Sequence, residues 1–145
     1  MNIKSALKYK NKITSNIQKQ LGKVTAYNSV DEGTNKPYSA KEGWKNYVEL
    51  TNELIALKTS IHKANAPVYD KIFRLSELKS MVTNLKRFDC SEGMVSTGRW
   101  GAEPQSKVKV AEITITERDG LVEFYEAEID QIQDELDYFN QVTEL

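Results

Sequence analysis

The residues in this sequence best suited to chemistry are cations set beside aromatic rings. Lys86, Arg87 and Phe88 are consecutive, Arg99 and Trp100 are adjacent, and Lys107 and Lys109 follow two residues apart. Guanidinium forks bind phosphate oxygens in pairs, and Phe or Trp faces stack on a purine. The combination suits a small anionic nucleotide. Phe88 or Trp100 would stack on the base, and Arg87, Arg99 and Lys109 would neutralise phosphate. Asn65 or Lys63 would meet a base edge or ribose hydroxyl. Lys19 and Lys23 would form a second basic site if several copies met on a symmetry axis. The competing reading makes Phe88 and Trp100 core plugs and the cations ordinary surface.

Catalytic chemistry is hard to assemble. His62 is the sole histidine and Cys90 the sole cysteine. A Ser-His-Asp or Cys-His arrangement would have to pass through His62, and no flanking motif supports a nucleophile. The glycine-rich stretch 93–106 lacks a Gly-Lys-Ser/Thr sequence, so it is not the phosphate loop of an NTPase. One cysteine excludes an intrachain disulfide and a multi-cysteine zinc site. The expectation is a protein that is not an enzyme and needs no metal or cofactor. With 20 Lys and Arg against 21 Asp and Glu, the net charge is −1. That gives no global bias toward long nucleic acid or anionic membrane. No run approaches the roughly 20 apolar residues of a membrane span, and no signal peptide is evident. A cytoplasmic protein is expected.

Those residues must be positioned by helices. From Tyr47 to Ala64, apolar residues fall at Tyr47, Leu50, Leu54, Leu57, Ile61 and Ala64, in steps of three and four. That spacing is one stripe of an α-helix about 27 Å long, which needs cover to be stable. Its helix should begin near residue 40, because Ser39 and Glu42 have capping-box spacing. It should end at Asn65-Ala66-Pro67, where proline disfavours helix in the residue before it. A first helix is expected over about 2–25, from Ile3, Ala6, Leu7, Ile13, Ile17, Leu21 and Val24, and residues 26–40 read as a loop. A third helix over about 70–88 would be capped by Asp70. The clearest strand pattern covers about 107–116, with a phase slip between Val110 and Ala111 that suggests a bulge. Its partner would be 94–100 or the same strand of another subunit. Asp119 would cap a last helix over about 119–142. The expected fold is therefore α+β, mainly α: one domain of four amphipathic helices with coiled-coil-like seams around a small antiparallel β element. Such seams exceed what one subunit can bury, so a homo-oligomer is expected.

Charge is distributed unevenly. Residues 1–30 carry six lysines (Lys4, Lys8, Lys10, Lys12, Lys19, Lys23) and no acid; residues 119–145 carry nine acids and no base. The simplest expectation is that the two terminal helices pair their charged faces within the chain.

The order of elements also carries a resemblance. It lies in the basic first helix, "ELTNELIALKTSIHKAN", "DKIFRLSELKSMVTNLKR", the strand "KVKVAEITIT" and the acidic close "IDQIQDELDYFNQVTEL". The Ile61-x-x-x-Asn65 helix ending and the terminal Asn140-x-x-Thr143-Glu144-Leu145 carry most of it. Over nearly its full length the chain resembles a family of small bacterial proteins of unestablished function, some of them labelled septicolysin. Loop 89–106 departs from that pattern at Arg99-Trp100. The resemblance implies an α+β homo-oligomer, a dimer or a hexamer built from dimers. In organisation the chain is also similar to phage Thoeris anti-defence proteins of the first type. Those are non-enzymatic sponges that sequester cyclic ADP-ribose-type signals, some also holding cyclic oligonucleotides. This second resemblance implies sequestration of a small nucleotide, in a bacterial cytoplasm or in the host's if the protein is phage-encoded. The septicolysin label suggests pore formation, but no segment shows alternating membrane strands or a long apolar helix.

Overall fold

A computed structural model describes residues 1–97 and 105–145. In chain order these form α1 (Ile3–Tyr27), α2 (Ala40–Ala64), a 3-10 turn (Ala66–Val68), α3 (Tyr69–Lys86), β1 (Gly93–Thr97), β2 (Gln105–Lys109) and α4 (Ile115–Val142). The fold is mainly helical with one two-stranded antiparallel sheet. The residues group into two compact units, Met1–Tyr69 with Asp137–Leu145, and Asp70–Leu136.

In the first unit α1 packs on α2. Ile3, Ala6, Ile13 and Ile17 of α1 are buried, with Ile61 and Val68. Gly43 lies under α1: a Cβ there would stand 3.1 Å from Val24 Cγ2. The missing side chain is what lets the two helices approach so closely, and it explains a glycine in the second turn of a helix. The Ser39 hydroxyl caps α2 by accepting from the Glu42 N–H (3.2 Å), and helix ends at the Pro67 turn as the sequence indicates. Asn2 caps α1, accepting from the Ser5 N–H at 2.9 Å. The Ile3 N–H donates to the Thr143 carbonyl and the Leu145 N–H to that of Met1, both at 3.0 Å, a short antiparallel bridge between the chain ends.

In the second unit Leu78, Val82 and Leu85 of α3 and Ile132 and Leu136 of α4 are buried. Three ion pairs join the two helices along their flanks: Lys71–Glu135 (2.5 Å), Arg74–Glu128 (2.5 Å) and Lys86–Glu126 (2.9 Å). The acids of α4 thus find their bases on α3. Lys4, Lys8, Lys10, Lys12, Lys19 and Lys23 form no ion pair among the described residues.

The strand region needs correction. The strand expected over 107–116 is confined to Gln105–Lys109, paired with β1 in the register Met94 opposite Val108. Its partner comes from the same chain. Helix α4 begins at Ile115, not 119, because Thr114-x-x-Glu117 is itself a capping box: the Thr114 hydroxyl accepts from the Glu117 N–H at 3.2 Å. Asp119 instead accepts from the Arg118 guanidinium (2.9 Å) inside the helix. Helix α3 starts at Tyr69, straight out of the 3-10 turn, so Asp70 sits in its first turn and does not cap it. It stops at Lys86, with Arg87 and Phe88 donating to Asn84 and Leu85 in a tightened final turn. Among the described residues no helix is long and apolar enough to cross a membrane.

Candidate functional site

The residues expected around a nucleotide are divided between the two units. Lys63 and Asn65 belong to the first unit; Arg87, Phe88 and Lys109 belong to the second. Arg99 and Trp100 lie outside the described residues. Phe88 is half exposed and lines a shallow cleft of about 360 Å³ with Asp89, Cys90, Val110 and Glu112. The Lys109 ammonium donates to the Asp89 carboxylate at 2.9 Å. Hydrogen bonds from the Ser91 hydroxyl, the Lys109 ammonium and the Ser91 N–H hold the Asp89 carboxyl well below the usual carboxylate range. With Asp89 ionised, Lys109 matched and Glu112 on the rim, this cleft offers no net positive charge to a phosphate. Arg87 is exposed and in no ion pair among the described residues, but the surroundings of Phe88 do not complete an anion site around it.

At the end of α2 the side chains serve the fold. The Tyr69 hydroxyl donates to the His62 carbonyl at 2.8 Å and also meets the His62 Nδ1, with the two rings 5.1 Å apart. Asn65 closes the helix, its N–H donating to Ile61 and its carbonyl accepting from Val68. Its side-chain Oδ1 is buried without a donor, so no outside ligand reaches it. Lys63 is exposed beside this corner.

The better constellation surrounds Lys23. The Lys23 ammonium stands 4.3 Å over the centre of the Tyr38 ring, and Tyr27 packs against the same ring at 5.9 Å with a 54° tilt. The α1–α2 approach at Gly43, whose nearest neighbours include Lys23 Cβ, places the end of α1 beside the start of α2. Tyr38 then lines a cleft of about 450 Å³ with Asn28, Lys36, Ser39, Ala40 and Lys41. Lys36 and Lys41 are exposed and in no ion pair among the described residues. Two lysines and a half-exposed aromatic ring, itself in contact with Lys23, therefore line a concavity of the size that small ligands occupy. Of the expected residues only Lys23 belongs here; Lys19 lies a turn earlier on the exposed side of α1. The sequence reading missed Tyr38, Lys36 and Lys41, because residues 26–40 carry no periodicity. The one legible signal was the Pro37-Tyr38-Ser39 run leading into the capping box. Among the described residues no group of three His, Cys, Asp or Glu side chains is placed to hold a metal.

No protein-family model, curated protein or solved structure matches this chain.

Proposed function

We propose that the protein binds and sequesters a small anionic nucleotide, of the cyclic ADP-ribose or cyclic oligonucleotide type, without turning it over. The observation that carries this reading is the cation held over the Tyr38 ring beside the lysine-lined cleft. Lys36 and Lys41 supply charge for phosphate, and the aromatic pair supplies a surface for a base or ribose. In this reading the cleft, lined by Lys36, Tyr38, Ser39 and Lys41, holds charge and leaves the ligand unchanged. The protein acts as a homo-oligomer in the cytoplasm, bacterial or that of a phage host.

Isothermal titration with cyclic ADP-ribose isomers and cyclic di- and trinucleotides tests the reading. At least one should release heat, come off the protein chemically unchanged, and bind about tenfold or more weakly to the Lys36→Ala/Lys41→Ala variant. No heat with any of them ends the proposal. A second reading, a self-assembling adaptor, draws on Trp44, Val48 and Ile55. These are 53 %, 39 % and 57 % exposed and lie on one open face of α2, away from α1. It expects the lysine variant to behave as wild type in every assay.

A further inference from the structure

Along the α1–α2 pair lies a second concavity, about 460 Å³, lined by Asn16 and Gln20 of α1 and by Asn46, Glu49, Leu50 and Glu53 of α2. All six residues belong to the first unit. Their spacing explains how they come together: positions 16 and 20, and positions 46, 49, 50 and 53, each fall on one face of their helix. Asn16, Gln20, Asn46 and Leu50 are half-buried, and Glu49 and Glu53 are exposed. Among the described residues the side chains of Asn16, Gln20, Asn46 and Glu49 make no hydrogen bond or ion pair. Glu53 Oε1 accepts from the Tyr9 hydroxyl of α1 at 2.5 Å, which holds that carboxylate in place and leaves its second oxygen open. Polar side chains drawn partly out of water take hydrogen-bond partners, so the groups left open define what the cleft can hold.

A carboxamide both donates and accepts, a carboxylate only accepts, and no lysine or arginine lines this cleft. A phosphate would bring acceptors alone, against Glu49 and Glu53. An ammonium would bring donors alone and leave the three carboxamide NH2 groups unmatched. Hydroxyls donate and accept at once, so a neutral polyhydroxylated ligand matches every open group. The two polar atoms of a carboxamide or a carboxylate lie side by side in one plane and meet two neighbouring hydroxyls together. Leu50 gives the C–H face of a sugar ring an apolar floor. We propose that this cleft binds a sugar ring through two adjacent hydroxyls, read by Asn16, Gln20, Asn46 and Glu49. A free sugar and the ribose of a nucleoside carry that same diol. The site shares no residue with the lysine-lined cleft around Tyr38.

The side-chain NH2 signals of Asn16, Gln20 and Asn46, followed by nitrogen–proton NMR on the full chain, read this site directly. Adenosine or methyl glucoside should shift them saturably in about the millimolar range. Salt at about 0.5 M should leave the shifts unchanged, because the ligand is neutral. The adenosine analogue lacking both ribose hydroxyls should bind about tenfold or more weakly, since the open groups then go unpaired. Asn46→Ala and Glu49→Ala, each checked for native circular dichroism, should each weaken binding by about fivefold or more. Tighter binding of adenosine assigns the site to ribose, and tighter binding of methyl glucoside assigns it to a free sugar. Lys36→Ala/Lys41→Ala should leave both affinities unchanged, so this site and nucleotide sequestration fail separately. Unmoved NH2 signals overturn the proposal, as do variants that bind like wild type or an analogue without hydroxyls that binds like adenosine. So does butane diamine shifting the signals more strongly than either sugar, which would assign the cleft to a cation.

Discussion

At the scale of single residues, charge pairing decides more than charge type. Lys109 reads as a phosphate contact until its partner is known; Asp89 at 2.9 Å then gives it a structural role. The Asp89 carboxyl is depressed chiefly by the Ser91 hydroxyl, with Lys109 next. A carboxylate whose folded value lies below its unfolded one stabilises the fold above the unfolded value. That contribution is lost as pH falls through the folded one. Asp89 should therefore stay ionised when other exposed aspartates have titrated, and Ser91→Ala should move its midpoint back up. Carboxyl carbon shifts followed by NMR measure both, and an ordinary midpoint in wild type would refute the assignment. Lys23 was legible as a candidate cation, because lysines without nearby acids are visible in a sequence. Tyr38, Lys36 and Lys41 were not, since what unites them is a loop folding over the end of another helix.

At the scale of elements, local signals competed and the structure shows which won. Alternation over Ala111, Ile113 and Ile115 argues for strand, and Thr114-x-x-Glu117 argues for a helix start. The cap prevails, because it satisfies an otherwise orphaned N–H and opens a helix that runs to Val142. Thr114→Ala should cost about 1 kcal/mol in denaturant unfolding. Asp119→Ala, which removes only an exposed pair with its neighbour, should stay within about 0.5 kcal/mol. Equal losses in the two variants would contradict the placement of the helix start. Gly43 teaches the complementary lesson. As a poor helix former it looks like a weakness in the early turns of α2, and its use appears only when Val24 is found above it.

At the scale of the molecule, the two units are held differently. The first rests on isoleucines buried between α1 and α2; the second adds three exposed ion pairs between α3 and α4 to a smaller apolar core. Each such pair contributes only about 0.2–1 kcal/mol and is screened by salt. Raising salt to about 1 M should therefore speed amide exchange in α3 and in α4 up to Leu136 by a few fold relative to α1 and α2. Equal responses in both units, read by hydrogen-exchange mass spectrometry, would show that the pairs contribute nothing.

Four helices, a Pro67 break, a Ser39 cap and the burial of the Ile3, Ala6, Ile13 and Ile17 stripe followed from the sequence itself. Periodicity and capping act within a few residues and need no knowledge of distant chain. Tertiary structure alone decided which acid meets which base, and that β2 pairs with β1. It also brought Lys23 over Tyr38. Those outcomes join residues from 8 to 64 positions apart. The sequence lists the charges and rings, but only packing sets the distances between them, and Coulomb and stacking energies depend on distance.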